Sequence, residues 1–201
     1  MALPDDTDGM DERRDMAVKK VPGDAVGNIP PLLGKVVLAA FAMAVCQIIV
    51  APIYVALSGN RFAVIPWMCV MVAVTVSFCA VLGFILFWLS EIIAVRISPR
   101  FVPLMCAAIG LVSFGVWGGT VVLAVFNSLL EPLGVAALSG LNAWAVIINC
   151  AVIGAVGFAI GQAFYKRTMT RWVPLVVLMA FELLVTAVGV FYLTQMYAFL
   201  Y

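Results

Sequence analysis

The sequence predicts an all-α, polytopic membrane protein: five transmembrane helices in a compact bundle, with the N-terminus cytoplasmic and the C-terminus outside. Three observations predict it. Of 201 residues, 66% are hydrophobic and 10% charged, whereas a soluble globular chain carries about 25% charged residues. The mean hydropathy is +1.19. The apolar residues fall into five runs, each long enough for the roughly 20 residues a span needs. Finally, the basic residues segregate: Arg13, Arg14, Lys19, Lys20, Lys35, Arg96, Arg100, Lys166, Arg167 and Arg171 fall on one side of a five-span layout, leaving Arg61 alone of the 11 on the other. Under the positive-inside rule the ten mark the cytoplasmic face.

Two domains are expected, a tail over 1–34 and a transmembrane domain over 35–201. The tail begins with Asp5, Asp6, Asp8, Asp11, Glu12 and Asp15, continues through Lys19 and Lys20, and ends in a Pro/Gly-rich run at Pro30 and Pro31. Such a composition buries too little apolar surface to fold, so disorder is expected. It lacks the basic-then-apolar layout of a cleaved signal, and the first apolar run is expected to be a retained anchor.

Helix one is expected over 36–57, closing at the turn signal Ser58-Gly59-Asn60. One face reads Ala40, Ala44, Gln47, Ala51, Tyr54, a small-residue seam with an amide at its centre. Helix two, over 63–95, exceeds the span length and needs tilt or extension beyond the bilayer. Glu91, one turn before Arg96, reads as a solvated interfacial carboxylate. Helix three, over 101–126, carries Gly115-x-x-x-Gly119, a motif for close backbone approach. The stretch from Asn127 to Asn142 reads as a connection with a capping box, Ser128 and Glu131, and an apolar middle that lies along the interface or dips slightly into the membrane.

Helix four, over 143–165, aligns Cys150, Gly154, Gly157 and Gly161 in the most regular small seam of the chain, and is expected at the centre of the bundle. Lys166, Arg167 and Arg171 stop it. Helix five, over 172–197, opens with Trp172 and Pro174, proline being tolerated in a first turn. Aromatic residues agree with the threading: Tyr54, Trp67, Trp144, Tyr197 and Tyr201 mark the outer interface, and Trp88, Tyr165 and Trp172 the inner one.

The chemistry available is sparse. Histidine is absent, which removes the usual general base, and no catalytic residue is assigned. The Leu138-Ser139-Gly140 stretch resembles the serine motif of rhomboid proteases, but that fold needs a partner histidine that this chain lacks. Cys46, Cys69, Cys79, Cys106 and Cys150 all lie in apolar segments without C-x-x-C spacing, so neither a metal site nor a disulfide framework is expected. The glycines of helix four lack a following Gly-Lys-Ser/Thr, so they are no phosphate loop and no cofactor is expected.

What remains is a candidate intramembrane polar site: Glu182, Gln47, Thr186 and Asn149. Glu182 lies about 16 Å beyond Arg171 at the helical rise, near the centre of a hydrocarbon core about 30 Å thick. An acidic side chain there costs on the order of 3 kcal/mol on insertion scales, so it is protonated, paired or turned into a polar interior. Thr186 and Gly189 continue its face one and two turns on. Gln47, about 18 Å beyond Lys35, has similar depth and can meet it. Three readings follow: cross-helix hydrogen bonding only, a proton, cation or basic-ligand site roofed by Gln47, or a lipid-facing carboxyl that snorkels or pairs in an oligomer.

The expected function is a non-enzymatic binding or assembly component of a membrane complex. The alternative is a small transporter, or a membrane subunit of one, in which Glu182 contacts ion or substrate. Partners are the lipid bilayer and a membrane protein or second copy of the chain, with no basic patch for nucleic acid and no small-molecule ligand identified. The expected location is the plasma membrane, with the bacterial cytoplasmic membrane as the reference case.

Overall fold

The computed structural model describes residues 31–94, 98, 100–168 and 172–200, and of 166–168 the backbone alone. The expected disorder of 1–30 and the side chains of Arg96, Lys166, Arg167, Arg171 and Tyr201 lie outside the described residues. Among those described there is no strand, and five helices are long and apolar enough to cross a membrane. They are α1 (Pro31–Leu57), α2 (Val64–Ala94), α3 (Val102–Leu133), α4 (Gly140–Thr168) and α5 (Trp172–Leu200).

Helix α1 is described from Pro31, whose missing N–H costs nothing in a first turn, and residues 31–34 are helical. It closes as its sequence implies. Gly59 and Asn60 take left-handed φ values of 66° and 58°, and the Asn60 N–H donates to Val55 O at 3.0 Å, capping carbonyls the helix leaves open.

Helices α2 and α3 each contain one π-turn, Cys79–Gly83 in α2 and Gly118–Val122 in α3. A π-turn inserts an extra residue and re-aims the side chains after it. Helix α3 also corrects the expected connection. It continues beyond Phe126 to Leu133, ending in a 3-10 turn and Gly134 at φ 66°. Ser128 is mid-helix: its Oγ bonds Val125 O at 2.9 Å and pairs with the Tyr197 hydroxyl of α5, so it caps nothing. Only 134–139 are non-helical, and the Leu138 N–H in that loop donates to Asn127 Oδ1 at 2.9 Å.

Helices α1 to α4 close a ring, α3 on α4, α4 on α1, α1 on α2 and α2 back on α3 through Trp67–Phe126 and Phe78–Phe114, and α5 lies outside it, chiefly against α2. Helix α4 is therefore not the centre of the bundle. In the most apolar window of each span, α2 is 56% buried and α1 50%, against 33% for α4 and 17% for α5. One side of α4 is bare along Trp144, Ile148, Val152 and Val156. Its glycine face serves two neighbours instead. A Cβ on Gly154 would lie 2.2 Å from Gly110 O of α3, and one on Gly157 would meet Met43 Cγ of α1 at 2.1 Å. A Cβ on Gly161 would sit 2.7 Å from Lys35 O. In the expected Gly115/Gly119 motif the approach is looser, 3.1 Å to Ala151 Cβ and 3.5 Å to the Ile147 side chain. Gly110 and Gly118 make the tighter approaches on that helix.

Aromatic residues fill the core. Trp67 is fully buried, stacked on Phe62 at 5.1 Å and edge-on to Phe126 at 5.0 Å. With Tyr54, also buried, it faces the bundle interior near the end of its span.

Candidate intramembrane polar site

The polar residues singled out by the sequence divide into two groups, and Gln47 does not roof Glu182. The cause lies in helix α5. It leans on α2 through Gly189, where a Cβ would fall 2.2 Å from Cys69 O, and touches α1 only slightly. Gln47 meanwhile faces α4.

The first group joins α1 and α4. The Asn149 Nδ2 donates to Tyr54 Oη at 2.6 Å, and Cys150 Sγ lies 3.7 Å from the same hydroxyl. Gln47, at 0% exposure, sits two turns before Tyr54 beside Cys150. Neither its Oε1 nor its Nε2 has a hydrogen-bond partner. A cavity of about 190 Å³ adjoins Tyr54 and Asn149.

The second group surrounds Glu182. Helix α5 buries only Leu175, Glu182 and Gly189, spaced seven apart on one stripe. Glu182 is 6% exposed, and its Oε1 is buried without a partner. It contributes to the wall of an otherwise apolar cavity of about 440 Å³ between α1, α2 and α5. Val36, Val37 and Ala40 line the α1 side; Cys79 and Ala80, at the π-turn, line the α2 side. On the α5 side, Val176, Met179 and Leu183 are exposed as well as cavity-lining, so the space opens laterally, towards lipid in a bilayer.

Thr186, one turn further on, also has an unpartnered hydroxyl. Other helix hydroxyls satisfy themselves on a carbonyl in the preceding turn: Thr75 on Met71 O, Ser90 on Phe87 O, Ser113 on Ile109 O and Thr194 on Phe191 O. Glu182 and Thr186 thus form the one stripe of α5 whose polar atoms are buried and unpaired. Unpaired buried polar atoms cost about 1–3 kcal/mol each.

Sequence reasoning missed one pair. Lys35 is 4% exposed, and its Nζ lies 2.7 Å from Glu91 Oε1 and 4.8 Å above the Tyr165 ring. Glu91 is therefore an ion-pair partner across two helices, not merely a solvated interfacial carboxylate. The signal was present in the threading: antiparallel α1 and α2 bring the start of one beside the end of the other.

Among the described residues no group of three or more His, Cys, Asp or Glu is placed to hold a metal. No protein-family model matches the chain, and no curated protein or solved structure matches it.

Proposed function

We propose that the chain is a non-enzymatic, multi-pass binding component of a membrane assembly, and that the α1–α2–α5 cavity is where it binds. The observation that carries this reading is the cavity itself: about 440 Å³, inside the 300–1,000 Å³ range of small-molecule sites, with one buried, unpartnered carboxyl in an apolar wall. Pockets with few convergent polar groups in apolar surroundings are the usual form of a ligand site. Helix α5, the least buried span, forms its outer side.

Under this proposal the N-terminus is cytoplasmic and the C-terminus outside, supported by the ten-to-one split of basic residues. The plasma membrane, in the reference case that of a bacterium, is the proposed location. The bilayer is one partner, and a membrane protein or a second copy of the chain is the other. Purification in mild detergent, with mass spectrometry of the proteins and small molecules retained, tests the reading. A species retained by the native chain and lost on Ala80→Leu, which fills the cavity from α2, supports it. Identical retention by both refutes the cavity as the binding site.

A second reading, a small transporter or a subunit of one, is favoured by the unpaired Glu182 and Thr186 stripe. It requires ion- or substrate-dependent uptake in proteoliposomes that Glu182→Gln abolishes.

A further inference from the structure

We propose that the α1–α2–α5 cavity binds a cationic amphiphile, an ammonium group on an apolar body, with the ammonium on the Glu182 carboxylate and the body along Val36, Ala40, Ala80 and Met179. This rests on the reading of the cavity as a binding site and adds the ligand's chemical class.

Three observations converge. The cavity wall is apolar except at Glu182 and Cys79, so most of an occupant's surface must be hydrocarbon. Its lateral opening past Val176 and Leu183, both exposed, admits a molecule already dissolved in lipid. And Glu182 is 94% buried by its 6% exposure, with Oε1 unpartnered. A carboxylate at this depth without a cation opposite is the costly state, whereas a hydrogen-bonded cation both neutralises it and satisfies its lone pairs.

Among the described residues nothing supplies that cation. Besides Glu182, the charged groups described on the three helices around the cavity are Lys35 and Glu91, and they are committed to each other at 2.7 Å, outside the cavity wall. Cys79, the other titratable wall residue, donates towards Met43 Sδ at 3.8 Å. A neutral alcohol of the same shape fills the same volume, but it makes a weaker, uncharged hydrogen bond to the carboxyl.

The test uses the full chain in lipid nanodiscs and two photoreactive probes: dodecylamine carrying a mid-chain diazirine, cationic at pH 7 because alkylamines titrate near 10, and the matched dodecanol. Cross-links are mapped by mass spectrometry and quantified over a concentration series. The inference expects saturable labelling by the amine at Val36, Ala80 or Met179, and labelling by the alcohol about tenfold to hundredfold weaker. Glu182→Gln should bring the amine down to the level of the alcohol. Equal saturable labelling of the cavity by both probes overturns the ammonium inference but leaves a binding cavity standing. Absence of saturable labelling by either probe overturns both. The comparison of probes on the unmodified chain decides the matter even if Glu182→Gln does not fold.

Discussion

The close backbone approach of α3 and α4 at Gly110 and Gly154 predicts a sharp difference between two conservative substitutions. At Gly154→Ala the new Cβ would lie 2.2 Å from Gly110 O and 2.9 Å from Gly110 C. Ordinary contact begins near 3.4 Å, so the deficit is 3.4 − 2.2 = 1.2 Å. The obstructing atoms are backbone and cannot rotate away. Helices α3 and α4 must therefore separate along the most extensive helix pair in the bundle. Over-packing of this kind costs about 1–3 kcal/mol. The gain in helix propensity on replacing glycine, at most about 1 kcal/mol, is smaller here because a buried span is already helical. At Gly119→Ala the new Cβ meets only the tip of Ile147, at 3.5 Å, and the change should be neutral or slightly stabilising. For a chain of this length, 1 kcal/mol moves Tm by about 2–4 °C on the scale of soluble domains. Gly154→Ala should therefore unfold about 2–12 °C below the unmodified protein in mild detergent, with Gly119→Ala within a degree or two of it. Thermal unfolding followed by size-exclusion chromatography reads the difference. Equal losses in the two variants, or none in Gly154→Ala, would refute the close approach of α3 and α4.

The buried ion pair should be asymmetric: Glu91→Gln strands Lys35 at 4% exposure and should cost about 1–3 kcal/mol, less than a fully buried pair because Glu91 is 43% exposed, while Lys35→Met should cost little. Thermal stability of both variants checks the order. Tyr54→Phe removes the hydroxyl that Asn149 donates to and should cost about 0.6–1.7 kcal/mol, the range of cross-helix bonds in membranes, with an Asn149→Ala, Tyr54→Phe double-mutant cycle showing the coupling. Gly157→Leu should disrupt folding where Val152→Leu does not; Ile153 is no control for lipid exposure, since it is itself only 3% exposed. A reporter fused after Tyr201 should be active only outside the cytoplasm and one fused after Arg167 only inside, and the reverse at either site would sink the proposed threading.

The sequence makes depth legible and direction around the helix axis much less so. Bilayer thickness fixes how long an apolar run must be, which is why all five spans can be read from composition. Their ends are less secure. Asn127 and Ser128 look like a break, yet the Ser128 hydroxyl satisfies itself on Val125 O and Tyr197, and the helix runs on to Leu133. Glu91 can be compared with Arg96 along the chain, but only the packing of α1 on α2 shows that Lys35 is its partner. Gln47 and Glu182 have similar depth, and counting residues cannot show that they face different neighbours. What turns them apart is where the smallest side chains stand. Gly154 draws α4 onto Gly110 of α3, while Gly157 and Gly161 hold it against α1, which places the Gln47 face beside Cys150. Gly189 draws α5 onto Cys69 and Ala73 of α2. The Glu182 stripe is then carried into the gap between α1 and α2, where the side chains that meet it, Ala40, Cys79 and Ala80, are too small to fill the space. The cavity is thus a consequence of close packing elsewhere on α5: the contact that brings Gly189 within reach of the α2 backbone leaves the next buried position, seven residues earlier, holding a carboxyl over open volume.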